Sequence, residues 1–141
     1  MPIIEWSESF RMGVHPFDEH HQHLFLLINR TYDMFVLQEP KQHLEPVLDE
    51  LIDYAIYHFS EEEFWMKESD YPKLVEHAME HDRFSKRVVE FQAGYARGDS
   101  ALTLEVLQFL HGWLTDHILK TDSEYACFIG TKKPCVILDL K

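Results

Sequence analysis

Apolar residues recur at helical spacing in four stretches of this 141-residue chain, and each stretch ends at residues that stop a helix. The first carries Leu24, Phe25, Ile28, Tyr32 and Phe35 and stops before Pro40. The second carries Leu48, Leu51, Ile52, Ala55 and Phe59 to about Met66. The third carries Leu74, Ala78, Phe84, Val88 and Phe91 and stops before Gly98. The fourth carries Leu104 or Leu107, then Leu110, Trp113 and Leu114, to about Lys120. Asp18 is the expected N-cap of the first helix. The second begins between Lys41 and Pro46, since proline is tolerated in a first turn. Ser69 and Asp70 offer a cap to the third with Pro72 in its first turn, and Ser100 a cap to the fourth. Four amphipathic helices with short connections predict an all-α, up-down-up-down antiparallel four-helix bundle. The chain reads as one domain over 1–141: an irregular N-terminal arm to about residue 17, a bundle over about 18–122, and a short C-terminal tail turning at Pro134. The arm has no helical period, and its aromatics, Trp6, Phe10 and Phe17, are expected to pack on the core.

Composition narrows the partners. The formal net charge of −12 argues against nucleic acid and anionic lipid, which need a basic face. The opening MPIIEWSESF lacks the features of a signal peptide, and no apolar run is long enough to span a bilayer. A soluble cytoplasmic protein without membrane insertion is expected, with Cys127 and Cys135 as free thiols in that compartment and a C-terminal disulfide as the alternative. The unusual number is the ten histidines.

Placed on the helices, several of these histidines fall on the apolar stripes. His58 and Glu62 are four apart, as are His77 and His81, so each pair shares a helix face. His117 lies four residues after Trp113. In the first helix His21 precedes Leu24, Phe25 and Ile28 on one face and points inward, while His20 and His23 fall to the flanks as solvated residues. His43 and His111 lie off these faces, and Glu61 and Glu63 read as solvated. A single buried histidine is more often a hydrogen-bonded core residue than a ligand. Four helices that each deliver one inward need a common partner for buried polar atoms, and metal supplies it. Imidazoles with a carboxylate and no nearby cysteine suit iron, zinc, copper or nickel. The absence of HExxH weighs against a zinc protease, and the absence of Glu-x-x-His removes the signature of the carboxylate-rich di-iron bundles.

In order along the chain stand Trp6, Gly13, Asp18 and His21, then HFSEE at 58–62, Tyr71 and Pro72, HAMEH at 77–81, WLTDH at 113–117, and Asp122. This series resembles the hemerythrin family, and within it the single-domain bacteriohemerythrins, over almost the whole chain. The resemblance implies a centre of two iron ions with an oxo or hydroxo bridge. His77, His81 and His117 would bind one iron and His21 and His58 the other, with Glu62 and Asp122 bridging both. On that ligand set two octahedral ions keep a single open position, on the iron with two histidines. Leu24, Phe59, Trp113 and Leu114 match the family's oxygen pocket. The chain departs from the family pattern at His20, a position often occupied by glutamine, at an additional His15 in the arm, and in the tail beyond about residue 130.

The implied function is reversible binding of molecular oxygen for storage, delivery to an oxygen-using enzyme, or sensing, without catalysis. The alternatives are a di-iron oxidase, peroxidase or nitric oxide scavenger on the same site, or an iron store or iron sensor. One requirement is geometric. His117 and Asp122 are five residues apart, which on an ideal helix places them roughly 140° from one another. Both can reach one centre only if the helix widens or breaks around 118–122, and a π-type turn is expected there.

Overall fold

The computed structural model describes residues 3–99 and 101–131, with His15 described by its backbone alone. Its helices are α1 (His15–Val36), α2 (Lys41–Glu68), α3 (Leu74–Arg97), α4 (Leu104–Asp116) and α5 (Ser123–Phe128), with no strand among the described residues. A π-helical segment, His117–Asp122, joins α4 to α5, so these three pieces form one continuous rod and the bundle has four helical members.

The helix ends follow local chemistry. Pro40 closes the first connection after Gln38 takes a left-handed φ of 57°, and Glu39 N–H donates to Met34 O at 3.0 Å. The same device ends α2, where Asp70 has φ 55° and Tyr71 N–H donates to Met66 O. Ser69 therefore belongs to the end of α2, its hydroxyl donating to Trp65 O at 2.7 Å, and neither it nor Asp70 caps α3 as expected. Helix α3 starts later, at Leu74, because the turn through Pro72 and Lys73 intervenes. Pro46 lies inside the exposed start of α2 and does not delay it. The expected cap Ser100 lies outside the described residues. Thr103 caps α4, its hydroxyl accepting from Val106 N–H at 3.2 Å.

The first helix also differs from expectation. It begins at His15, three residues before Asp18, with Pro16 preset for the first turn. Asp18 does not cap it. Its carboxylate turns back onto the arm and accepts from Met12 N–H at 2.7 Å and Gly13 N–H at 3.0 Å. Gly13 sits at φ +82°, and a Cβ there would meet Thr131 O at 2.7 Å, so this turn requires glycine twice over. The arm itself contains a 3-10 turn, Glu8–Phe10, and Phe10 and Trp6 pack on Phe25.

Inside the bundle, Leu24, Ile28, Leu48, Ile52, Leu107, Leu110 and Leu114 form one core with Phe59 and Phe84. Leu107 is fully buried and Leu104 largely exposed, which settles the inward register of α4. A second, smaller apolar group, Phe17, Met66, Tyr71 and Tyr125, closes the end of the bundle where the π segment lies. Tyr125 belongs to α5, so the first residues of the expected short tail, Ser123–Phe128, continue the helix beyond Asp122. Cys127 is also not a free thiol. It is disulfide-bonded, and the chain's other cysteine, Cys135, lies outside the described residues together with Pro134. No described helix is long and apolar enough to cross a membrane.

Candidate metal centre

The four rods each turn buried polar side chains toward one place near the Phe17–Tyr125 end. Helix α1 supplies His21, α2 supplies His58 and Glu62, α3 supplies His77 and His81, and the π segment supplies His117 and Asp122. All seven sequence-selected residues are buried, and Glu62, Asp122 and His21 are inaccessible. The π segment is what admits Asp122. Ser123 N–H donates to Ile118 O five residues back, and the widened turn brings Asp122 Oδ1 to 3.1 Å from His117 Nε2.

The donor atoms fall into two groups that share both carboxylates. In one, His77 Nε2 and His81 Nε2 lie 3.1 and 2.9 Å from His117 Nε2. Glu62 Oε1 stands 3.1 Å from both His77 and His81, and Asp122 Oδ1 stands 3.0 Å from His77. In the other, His21 Nε2 and His58 Nε2 are 3.0 Å apart. Asp122 Oδ2 lies 3.2 Å from His21, and Glu62 Oε2 lies 3.5 Å from His58. Each carboxylate thus directs one oxygen to each group.

These spacings fit metal ligation better than hydrogen bonding. Two donors each about 2.1 Å from one ion and at right angles stand about 3.0 Å apart. Five imidazoles turn Nε2 inward against one another. Glu62 Oε2 and both Asp122 oxygens are buried without a hydrogen bond among the described residues. Such atoms are costly to bury unpartnered, and ions at the two foci would satisfy them together.

Without metal the cluster is strongly polarised. Burial opposes charge on His77 and His117, but Asp122 and Glu62 outweigh it. His77 is raised to about 9 and His117 well above the usual histidine range. Burial likewise opposes ionisation of Asp122 and Glu62, yet the facing imidazoles hold both well below the usual carboxylate range. His58 goes the other way, pushed down to about 4 because burial outweighs its attraction to Glu62.

Outside this ring stand residues that sequence reasoning missed. Glu63 accepts from His81 Nδ1 at 2.7 Å, so it is not merely solvated. Glu80 accepts from His117 Nδ1 at 2.7 Å and is itself held by the Thr121 hydroxyl at 3.0 Å; the His117 hydrogen bond is the main reason its pKa is lowered. Such carboxylates orient a ligating imidazole and raise its basicity. His20 is half-buried, its Nδ1 2.8 Å from His58 Nδ1, and burial lowers its pKa. The readings of His20 and Glu63 as solvated flanks fail because each helix is flanked by a neighbour whose ligand needs a partner. A signal existed in the rule that a ligating imidazole uses its second nitrogen, but applying it requires the register between helices. His23 packs on Tyr54 at 4.4 Å, and His43 is exposed and pairs with Glu39 at 3.0 Å.

Beside the two foci lies a cavity of about 20 Å3 whose lining is wholly apolar: Leu24, Ile28, Leu51, Ile52, Ala55, Phe59, Phe84, Leu110 and Leu114. Leu24, Phe59 and Leu114 of the expected pocket are there. Trp113 is not. It stacks on His117 at 4.5 Å and on Phe84 at 4.0 Å, fixing the imidazole from outside. Phe59 also stacks on His81 at 4.0 Å.

Comparison with known proteins agrees with this architecture. Residues 12–129 match the family described as the hemerythrin HHE cation binding domain. The bacteriohemerythrin of Clostridium acetobutylicum is 34% identical over 127 residues, covering 87% of this chain and 98% of that one. That of Pseudomonas aeruginosa is 32% identical over 131 residues, covering 89% and 80%. A wild-type hemerythrin crystal structure superposes with a TM-score of 0.85 at 27% identity, covering 89% of this chain and 96% of that one. An arm, four helical rods and a buried cluster of histidines and carboxylates matched over this length make the chain a member of the hemerythrin family.

Proposed function

We propose that this chain binds molecular oxygen reversibly at a non-haem di-iron centre, for storage, delivery to an oxygen-using enzyme, or sensing. His77, His81 and His117 would hold one iron and His21 and His58 the other, Glu62 and Asp122 would be shared between them, and an oxo or hydroxo group would complete the centre. The observation that carries the reading is the pair of donor groups sharing both carboxylates beside a small apolar cavity. When bound, the irons supply the open coordination position and the electrons that hold oxygen.

The protein's own part is to orient and to exclude. Glu63 and Glu80 fix the rings of His81 and His117 through Nδ1, so that Nε2 faces inward. Leu24, Phe59 and Leu114 line a space too apolar to stabilise water, which needs polar partners. No side chain lining that cavity can give a proton to a bound ligand. Phe17, Met66, Tyr71 and Tyr125 close the nearby end of the bundle against solvent. A site arranged in this way favours carriage over turnover, and no observation favours the oxidase, peroxidase or nitric oxide scavenger reading over it.

The test is iron content together with the visible spectrum of the reduced protein, recorded before air, in air, and after oxygen is removed. Two irons per chain and a charge-transfer band that comes and goes with oxygen are expected. An irreversible oxidised spectrum would favour an enzyme, and absence of iron would overturn the metal assignment.

A further inference from the structure

The imidazoles of the cluster differ in what stands behind them. His81 and His117 each present Nδ1 to a carboxylate at 2.7 Å, on Glu63 and Glu80. His58 presents Nδ1 to another imidazole, the Nδ1 of His20, at 2.8 Å. The Nδ1 atoms of His21 and His77 have no hydrogen-bond partner among the described residues. Among the described residues, carboxylate backing is therefore confined to the group with three histidines.

This geometry fixes two tautomers. His58 turns Nε2 toward His21 and Glu62, so Nε2 is the unprotonated nitrogen in a ligating imidazole and Nδ1 carries the hydrogen. That hydrogen is donated to His20 Nδ1, which accepts through its lone pair and keeps its own hydrogen on Nε2. The His20 ring is seated for this task. It stands edge-on to His58 at 5.0 Å and 88° and edge-on to Tyr54 at 5.7 Å, and it packs against Tyr57 at 5.5 Å and Phe17 at 5.9 Å.

We propose that His20 is a positioning residue for the two-histidine half of the centre. It holds His58 with Nε2 inward. Uncharged where Glu63 and Glu80 are carboxylates, it also leaves that half the weaker electron donor and its ion the less tightly held. The proposal rests on the metal assignment above and extends it to an inequality between the two ions.

Titration of the metal-free full-length chain with Co(II), followed by its visible bands, tests this in wild type and in His20→Leu, His20→Gln and His20→Glu. Far-UV circular dichroism checks that each variant keeps its helices. Wild type is expected to take up two equivalents, the second more weakly. His20→Leu, which removes the acceptor, is expected to weaken the second by about 10- to 100-fold and to move the first by less than about threefold. His20→Gln keeps a neutral acceptor and is expected to restore the second equivalent. His20→Glu supplies a carboxylate and is expected to tighten it beyond wild type. A second equivalent unchanged in His20→Leu, both equivalents weakened alike, or no gain from Glu over Gln would overturn the role. A wild-type chain that takes up no Co(II) would overturn the metal assignment and this proposal with it. Two Co(II) bound in a chain whose iron form does not bind oxygen reversibly would overturn the oxygen reading alone, and the titration would still decide His20.

Discussion

The two ends of this bundle are built on opposite principles. Away from the metal centre, Leu48, Ile52, Val88, Leu107 and Leu110 interlock as apolar core, and burial by itself stabilises them. Toward the Phe17–Tyr125 end, seven titratable residues occupy equally buried positions, and several of their polar atoms have no hydrogen bond among the described residues. One end holds the helices together. The other is tolerable because the first is strong, and ions held there would satisfy its buried polar atoms. Fold and site therefore respond to different mutations, and that separation can be tested directly.

The largest effect expected is at Glu62, whose two oxygens reach both donor groups. Glu62→Gln is expected to abolish the oxygen-dependent band and to lower metal content below two ions per chain, with helix content retained. Full metal loading in this variant would remove Glu62 as a bridge. The converse substitution is Leu107→Ala in the apolar end, where Leu107 is fully buried. It is expected to destabilise the chain by about 2–5 kcal/mol in urea denaturation while the folded protein still binds two ions. Loss of metal at unchanged stability would erase the distinction between the ends.

How much of each end could be read from the sequence differs for the same reason. The apolar end was legible as periodicity, because inward-facing leucines repeat along each helix independently of the others. So were His58 with Glu62 and His77 with His81, which share a face by spacing alone. The need for a π turn between His117 and Asp122 followed from their five-residue separation, and His117–Asp122 is π-helical. Contacts between helices were not legible. Glu63 on α2 serves His81 on α3, Glu80 on α3 serves His117 beyond α4, and His20 on α1 serves His58 on α2. Each depends on the vertical offset of two rods, which no single helix encodes. Asp18 misled because a carboxylate at a helix start can bond backward to the arm as readily as forward to the first turn.

A smaller effect is expected at the boundary between the ends, where Leu114 lines the apolar cavity. Leu114→Ser places a hydroxyl beside the site and gives water a partner. Autoxidation of the oxygenated protein is expected to accelerate by roughly tenfold, equivalent to about 1.4 kcal/mol in the barrier. An unchanged rate would mean that the apolar lining does not protect the bound state.

The smallest effect concerns the metal-free chain, where the two groups titrate in opposite senses. Burial works against a charged His77, but Asp122 and Glu62 raise it to about 9, above the roughly 6.5 of an unfolded histidine. A raised value means stability fully present below about 6.5 and lost as pH rises through about 9. His58 is depressed to about 4 by burial, so its contribution is present above about 6.5 and lost as pH falls through about 4. The metal-free protein is therefore expected to be most stable near pH 6.5, with a melting temperature roughly 5 °C lower at pH 9.5. Loading with Zn(II) should flatten the alkaline side, because ligation replaces the proton on His77 and metal uptake at neutral pH releases protons. An alkaline loss that survives metal loading would place its origin outside the cluster. One that vanishes would show that the metal takes the place of the His77 proton between the carboxylates.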